Sequence, residues 1–225
     1  MELVGRPIRV DNETAVSSVW AVPSGYDPDR GTALILAHGA GSDMHHEFMV
    51  DLQRRLAGAG HLTILFNFPY REQGRRAPDR RPRLEATLRA VLKEVRESPL
   101  SGARVLIGGK SMGGKIASYL AASGEAVNGL VFLGYPLHPP YRQQQLRTSH
   151  WDKIQCPALF IQGTRDALCN LDLLGRELKR FGGPAKVHCI EGGDHSFHTP
   201  KRLGRTQAQV RSEMNEEIQR WLNAM

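Results

Sequence analysis

Short, continuous hydrophobic runs recur along the chain, and each is followed by a longer segment in which apolar and polar positions mix. The runs lie at residues 32–37, 62–66, 103–107, 129–134, 158–162 and 186–190. Because apolar and polar residues do not alternate within these runs, they predict strands buried on both faces, as in a parallel sheet.

The segments between the runs predict helices. Helices are expected at about residues 45–59, 83–97, 116–122, 171–181 and 206–224. The apolar residues of the first helix repeat at helical spacing and predict a buried face of Phe48, Leu52, Leu56 and Ala59. Those of the second predict an inward face of Leu84, Leu88, Val91, Leu92 and Val95.

Two further strands, at about 3–10 and 15–22, predict an N-terminal hairpin or meander. The alternation of strands and helices then predicts an α/β protein with a doubly wound, mostly parallel sheet of about seven or eight strands and helices on both faces. No linker, repeat or low-complexity segment interrupts the chain. A single domain over residues 1–225 is expected.

One serine stands where a predicted strand gives way to a predicted helix. Residues 109–113 read Gly-Lys-Ser-Met-Gly, with Ser111 at the centre and Lys110 as the variable residue before it. This spacing is typical of a sharp strand-to-helix turn that exposes a serine hydroxyl. The glycines two residues before and after are needed because a side chain there would collide with a neighbouring strand.

A serine hydroxyl becomes a good nucleophile when an imidazole takes its proton and a carboxylate orients that imidazole. Functional groups of open parallel sheets gather at the carboxyl ends of the strands. Asp166 follows the run 158–162 and His195 follows the run 186–190, so both are predicted to reach Ser111.

Other acids and histidines fit these roles less well. Asp194 adjoins His195 in the chain, and Asp172 falls near a predicted helix start, where an N-cap is the simpler interpretation. Among the histidines, His188 lies within a predicted strand and His138 in a distant segment, which leaves His198 as the reserve candidate.

Acyl transfer develops negative charge on a carbonyl oxygen, which requires backbone N–H donors aimed at it. One donor is predicted to be the N–H of Met112, at the start of the helix. The second is expected in the small-residue loop 38–41, from Ala40 or alternatively from Gly41.

Two competing ligand sites do not fit the sequence. A phosphate-binding loop ending at residues 109–111 would require glycine at position 104, where the chain has Arg104. This removes the only basis for an ATP- or GTP-binding protein. The histidines His38, His45 and His46 lack carboxylates at a matching spacing and are interpreted as loop and cap residues, so no metal is expected.

With these motifs assembled, the chain resembles the α/β-hydrolase superfamily along nearly its whole length. Within it, the chain is similar to a small, cap-less branch near the dienelactone hydrolases and the testis-expressed hydrolase-like proteins, a branch that includes a subunit of a histone-acetyltransferase complex. The narrower likeness depends on residues 38–41, 109–113, 135–139 and 194–196.

The resemblance implies an α/β-hydrolase fold in which Ser111, Asp166 and His195 act as nucleophile, acid and base without a cofactor. Dienelactone hydrolases use a cysteine nucleophile, so Ser111 favours a serine hydrolase of esters or thioesters instead. Some relatives serve as interaction modules, and a scaffold protein on this fold is the alternative. Because only residues 135–151 lie where a cap would enter, no sizeable cap domain is expected.

Composition narrows the class of partner. The 225 residues carry a formal charge of +7, but the basic residues lack interleaved aromatics, which does not favour nucleic acid. The segment 70–83 contains six arginines and two prolines and is expected to be a mobile loop. It is either a solvated loop or an element that selects an anionic form of a small acyl ester substrate.

The cysteine content and the lack of long apolar segments predict a cytoplasmic protein. Three cysteines without metal-ligand spacing argue against a disulfide framework. No leader-like apolar segment and no apolar run of about 18 residues is present, so no membrane span is expected.

Overall fold

One mixed sheet of eight strands runs through the protein, and the computed structural model describes all of residues 1–225. The strand order across the sheet is β1-β2-β4-β3-β5-β6-β7-β8. The strands are β1 (Glu2–Arg9), β2 (Ala15–Val22), β3 (Thr32–Ala37), β4 (Leu62–Phe66), β5 (Arg104–Lys110), β6 (Gly129–Leu133), β7 (Ala158–Gly163) and β8 (Ala185–Ile190).

Strand direction follows the predicted pattern. The N-terminal strands β1 and β2 form an antiparallel hairpin, and β2 pairs antiparallel with β4. All pairings from β4 through β8 are parallel, so the carboxyl ends of these strands share one edge of the sheet. The prediction of a mostly parallel α/β sheet is therefore confirmed.

Helices cover both faces of this sheet. They are α1 (Glu47–Gly58), α2 (Pro69–Glu72), α3 (Arg81–Glu97), α4 (Met112–Ala122), α5 (Leu171–Glu177) and α6 (Gln207–Asn223). Alternate residues of β3 enter different cores: Ile35 joins the cluster that contains the buried residues of α3 and α4, whereas Leu34 joins the cluster of α1 and α6. No helix is long and apolar enough to cross a bilayer.

The predicted buried faces of α3 and α1 agree with the structure to different degrees. All five residues predicted on the inner face of α3 are buried. In α1, Leu52 and Leu56 are buried as predicted, together with Met49, Gln53 and Ala57. The prediction was wrong for Ala59, which is exposed because the helix ends at Gly58. Phe48 is only partly buried, and its ring stacks on Phe197 with the ring centroids 5.8 Å apart.

The segment 70–83 is not a loop throughout, contrary to the expectation. Its first residues belong to the short helix α2, where Tyr70 is fully buried. Its last residues belong to α3, which begins at Arg81 with Pro82 in its first turn. Proline fits there because the first helical N–H groups have no intrahelical acceptor to lose.

No cap domain covers the carboxyl edge of the sheet, as predicted. Between β6 and β7 the chain makes only one short 3-10 turn, Trp151–Lys153. Tyr135, Leu137 and Trp151 from this connection are fully buried against the domain core. The connection therefore packs down onto the domain and does not form a separate lid.

The outer strand β8 forms one edge of the sheet and is much less buried than its neighbour β7. Residues 185–189 of β8 are exposed or half-buried, whereas every residue of β7 is buried. Lys186 and His188 on this strand contact Glu217 and Glu213 of α6. Charged side chains at an open edge discourage pairing with another chain.

The glycines around Ser111 have the packing role predicted for them. A Cβ atom at Gly109 would lie 2.1 Å from the carbonyl oxygen of Ala37, and one at Gly113 would lie 2.2 Å from the same atom. Gly109 also has a φ of +147°, which L-residues rarely adopt. The turn can approach β3 only because both side chains are absent.

We expect Gly113→Ala to lower the free energy of unfolding by about 3 kcal/mol, because the added methyl group must displace the backbone of β3. Gly175, within α5, is the matched control because a Cβ there meets nothing within 4 Å. Gly175→Ala should stabilise the protein by about 0.5–1 kcal/mol through helix propensity. Denaturant unfolding of both variants measures the difference, and equal effects would contradict the packing role.

Candidate active site

Ser111 lies on the turn between β5 and α4 in a strained backbone conformation. Its φ is +49° and its ψ is −111°, values that a non-glycine residue adopts only at a cost. The N–H of Ser111 donates to the carbonyl oxygen of Leu133 at 3.0 Å, which ties the turn to the end of β6. The hydroxyl is thus held at the carboxyl edge of the sheet.

The imidazole of His195 reaches Ser111 from the loop after β8. Its Nε2 lies 2.8 Å from Ser111 Oγ, and its Nδ1 lies 2.7 Å from Asp166 Oδ2. Because a carboxylate can only accept, these contacts assign the proton to Nδ1 and leave Nε2 free to accept from the serine. The structure therefore brings the three predicted residues together in one line of hydrogen bonds.

Asp166 is buried, and its carboxylate is fully paired. Besides His195, it accepts from the side-chain amide of Gln162 at 2.6 Å and from the N–H of Leu168 at 2.8 Å. The side-chain oxygen of Gln162 in turn accepts from the N–H of Tyr135 at 2.9 Å. Sequence reasoning missed Gln162, although one polar residue at the end of an apolar strand was a signal for it.

Replacement of Gln162 by leucine should cost about 2 kcal/mol of stability, because it leaves the buried N–H of Tyr135 without an acceptor. It should also weaken the His195–Asp166 hydrogen bond, since Asp166 loses a donor that fixes its position. The downfield proton NMR resonance of His195 Nδ1–H reports on that bond.

Gln53 supplies the matched control, because it is equally buried and donates to Val19 and Thr63 far from Ser111. Gln53→Leu should be destabilised to a similar degree but keep the downfield resonance. Loss of the resonance in both variants would mean that general loosening, and not the Gln162 contact, is responsible.

The rival acids and histidines take other roles. The Asp194 carboxylate accepts from the N–H groups of Ser196 and His198, at 2.8 and 2.9 Å, and so shapes the His195 loop. Asp172 lies in the first turn of α5, but Asn170 and not Asp172 caps that helix. The other histidines each have a partner away from Ser111: His138 accepts from Asn170, His188 pairs with Glu213, and His198 lies near Asp194.

The loop 38–41 is anchored by His38, which is a loop residue as predicted and is fully buried. Its Nε2 accepts from the N–H of Phe68 at 3.2 Å, and its Nδ1 lies 2.8 Å from the carbonyl oxygen of Gly39. Burial lowers the pKa of His38 to about 4, so the ring is neutral. This histidine holds the loop in place.

The predicted N–H donors lie beside Ser111. A Cβ at Gly39 would be 3.7 Å from Ser111 Cβ, which places the loop directly against the turn. The N–H of Ala40 donates no hydrogen bond within the protein. Met112 begins α4, where the first N–H groups have no intrahelical acceptor. Both groups are therefore available to an oxygen atom bound next to Ser111.

Two recesses open on either side of Ser111. The first has a volume of about 380 Å³ and is lined by Gly39, Ala40, Ser42, His46, Phe48, Met49, Lys110, Ser111, His195 and Ser196. The second, of about 430 Å³, is lined by Ala40, Pro78, Asp79, Arg81, Leu84, Ser111, Met112, Lys115, Ile116, Tyr119, Pro136, Arg147 and Leu168. No group of three or more potential ligand side chains lies close enough to hold a metal ion.

Lys110 contributes to the site, although the sequence suggested only a variable position. Its Nζ donates to the carbonyl oxygen of His195 at 2.6 Å and lies 5.3 Å from the centroid of the Phe197 ring. Burial lowers the pKa of Lys110 to about 8, against the opposing effect of Asp166 and Asp194. The residue before the serine thus fastens the loop that carries the imidazole.

The lowered pKa of Lys110 predicts how stability depends on pH. Between the folded pKa of about 8 and the ordinary value of 10.5, the unfolded state binds more protons, so this lysine makes stability rise with pH. Lys110→Met lacks that contribution. Between about pH 7.5 and about pH 9.5, we expect the free energy of unfolding of wild type to rise by about 2 kcal/mol relative to that of the variant.

Denaturant unfolding of wild type and Lys110→Met at both pH values measures this gain, and all other titrating groups cancel in the comparison. If the difference in free energy of unfolding between the two proteins is the same at both pH values, Lys110 is not desolvated in the folded state.

The arginines of the segment 70–83 are mostly engaged elsewhere. Arg71 pairs with Asp43 at 3.1 Å, and Arg75 pairs with Asp79 at 2.5 Å. Arg76 is exposed and lines neither recess. Only Arg81 lines a recess beside Ser111.

Most of the chain matches a known protein family. The model of the alpha/beta hydrolase domain matches residues 30–223. The chain therefore belongs to the α/β-hydrolase domain family, and the resemblance seen in its motifs is confirmed. Family membership establishes a hydrolase fold, and the particular reaction is a separate question.

Three solved structures show the same architecture. An α/β serine hydrolase homologue from Coxiella burnetii aligns with a TM-score of 0.76 at 20% identity, covering 99% of this chain and 98% of that one. The dienelactone hydrolase from Anabaena variabilis aligns with a TM-score of 0.72 at 21% identity, covering 96% of this chain and 95% of that one. A lid-less serine hydrolase from Xanthomonas campestris aligns with a TM-score of 0.71 at 19% identity, covering 98% of this chain and 95% of that one. At these identities the likeness concerns the fold.

Proposed function

We propose that this protein is a serine hydrolase that cleaves small or exposed carboxylic esters through an acyl-serine intermediate. The observation that carries the proposal is the continuous line of hydrogen bonds from Ser111 through His195 to Asp166. Both distances are within the range required of a nucleophile, its base and the group that orients the base.

In the proposed mechanism, Ser111 Oγ attacks the ester carbonyl carbon while His195 Nε2 takes its proton. The carbonyl oxygen becomes an oxyanion that receives hydrogen bonds from the N–H groups of Ala40 and Met112. The imidazolium then donates its proton to the departing alcohol, which leaves an acyl group on Ser111. Asp166 stabilises the charged imidazole and fixes its orientation throughout.

Hydrolysis completes the cycle by the reverse use of the same groups. His195 Nε2 takes a proton from water, whose oxygen attacks the acyl carbon, and Ser111 leaves with the proton returned by the imidazole. The carboxylic acid is released and the resting state is restored. These steps use only groups of this chain, so the proposal includes no cofactor.

The open surroundings of Ser111 support small or exposed esters as the substrate class. The two recesses of about 380 and 430 Å³ lie at the uncapped edge of the sheet. Thioesters place the same carbonyl geometry before the serine and fall within the proposal. The structural neighbours include a dienelactone hydrolase, but that name describes the neighbour alone.

A scaffold protein on this fold is the alternative function. Its surface would need neither a strained Ser111 nor a buried carboxylate aligned on an imidazole, and both features cost stability. Their joint presence favours catalysis.

Labelling with a fluorophosphonate probe tests the proposal, because such probes react with activated serines. Wild type should be labelled, and Ser111→Ala should not. His195→Gln and Asp166→Asn should lower the labelling rate by roughly 10³–10⁴-fold, as expected when a base or its orienting group is lost. Ser123→Ala is the matched control, since Ser123 caps the far end of α4 and should leave labelling unchanged.

Ester hydrolysis is a second test of the hydrolase proposal if labelling by the probe is weak. Hydrolysis of p-nitrophenyl esters of increasing acyl length should be detectable in wild type and lost in Ser111→Ala. Folded wild-type protein that neither takes up the probe nor cleaves any ester of the series would favour the scaffold function.

A further inference from the structure

The recess on the α4 side of Ser111 is lined by three cationic side chains from three separate elements. Arg81 begins α3, Lys115 lies on the first turns of α4, and Arg147 comes from the connection between β6 and β7. We call this the cationic recess, defined by Arg81, Lys115 and Arg147. Its wall also includes Ser111, so whatever occupies it is next to the nucleophile.

Lys115 is fixed close to the nucleophile. It follows Ser111 by one helical turn, and its N–H donates to the carbonyl oxygen of Ser111 at 3.0 Å. The three cations line the same recess, and burial together with the nearby charges of Arg147 and Arg81 lowers the pKa of Lys115. No carboxylate lies within 4.0 Å of its ammonium group.

Arg147 is held by its own backbone. Its N–H donates to Leu137 at 2.9 Å, its carbonyl oxygen accepts from the Tyr135 hydroxyl at 3.0 Å, and its guanidinium donates to Pro136 at 3.3 Å. It has no carboxylate partner, and only one terminal nitrogen is engaged in a hydrogen bond within the protein. The guanidinium is thus preorganised, with donors left for a planar anion.

The remaining charges of the recess are largely committed. Arg81 pairs with Glu85 at 3.0 Å and lies 4.6 Å above the centroid of the Tyr119 ring. The single carboxylate in the lining, Asp79, accepts from the N–H of Tyr70 and pairs with Arg75. Lys115 and Arg147 therefore remain as two neighbouring cations that no side chain of the protein neutralises.

Like charges held together without a counterion are unfavourable, and a bound anion would relieve that cost. The apolar part of the same wall, with Leu84, Ile116 and Tyr119, suits a short carbon chain or ring. We propose that the cationic recess binds a carboxylate carried by the substrate, so that the enzyme prefers anionic esters. This inference rests on the proposed function of Ser111 and names its substrate class.

The opposite recess does not offer a comparable pair of cations. Its half-buried cation, Lys110, donates to the carbonyl oxygen of His195, and its apolar wall is formed by Phe48 and Met49. The substrate is therefore anchored by charge on one side of the scissile bond and by apolar contact on the other. Lys115 and Arg147 hold the anion, whereas Arg81 is paired with Glu85 and the exposed Arg76 lines neither recess.

A pair of esters that differ only in charge tests the inference. The 4-nitrophenyl monoester of adipic acid carries a free carboxylate, and its methyl ester is the neutral counterpart. Wild type should show a higher kcat/KM for the anionic ester, after subtraction of the rate with Ser111→Ala. Lys115→Met and Arg147→Met should each reduce the anionic-to-neutral ratio about tenfold, the scale of one charge-assisted hydrogen bond.

Arg76→Met is the matched control, because it removes one positive charge from an exposed residue that lines neither recess. Its ratio should equal that of wild type. A carboxylate on the alcohol side is tested with 3-acetoxybenzoate against its methyl ester, and a charge-dependent loss in either series supports the cationic recess. Equal changes for charged and neutral esters in both series would overturn it.

Binding without turnover separates this inference from the proposed function. Saturation-transfer NMR with Ser111→Ala and monomethyl adipate should detect contact that disappears when Lys115→Met is added. If wild type is labelled by the fluorophosphonate but Ser111→Ala shows no such contact, the recess assignment fails and the hydrolase stands. If Ser111→Ala shows the contact but wild type is never labelled, the recess stands and the hydrolase proposal fails.

Discussion

The close packing of the Ser111 turn against β3 is the constraint on which the site depends. The absence of side chains at Gly109 and Gly113 lets both backbones approach the carbonyl oxygen of Ala37. This contact fixes where β5 ends and α4 begins, and so where the hydroxyl points. It also brings the loop 38–41, which follows directly after Ala37, against Ser111. One backbone contact thus positions the Ser111 hydroxyl and the neighbouring N–H of Ala40 together.

A second layer of polar contacts supports this arrangement from within the sheet. Gln162, at the end of β7, links the N–H of Tyr135 after β6 to the carboxylate of Asp166. His38 similarly links the end of β3 to Phe68 after β4. Buried polar groups of this kind are favourable only when every donor and acceptor has a partner. A network that is fully paired therefore holds its residues in fixed positions. The carboxyl edge of the sheet is therefore rigid where the chemistry requires it.

The sequence was sufficient to predict the sheet and the three residues of the hydrogen-bonded line. Continuous apolar runs identify strands, and parallel strands bring Ser111, Asp166 and His195 to one edge whatever the loops do. It was insufficient for contacts that depend on how loops pack. Lys110 and Arg147 have no local pattern that reveals their surroundings, because Lys110 donates to a carbonyl oxygen 85 residues away and Arg147 lines a recess formed by several separate elements. The helix α2 was missed because four residues are too short for a periodic signal.

The position of His195 after an edge strand has a consequence for local unfolding. Ser111 and Asp166 follow interior strands, whereas the imidazole follows β8, whose outer side has no neighbouring strand. Edge segments with exposed backbone open at lower free energy than the core. Fraying of β8 would withdraw the His195 imidazole while the serine turn stays folded, and the Lys110–His195 contact opposes this fraying. Ser111 would then lose its imidazole partner at denaturant concentrations at which the rest of the sheet is still native.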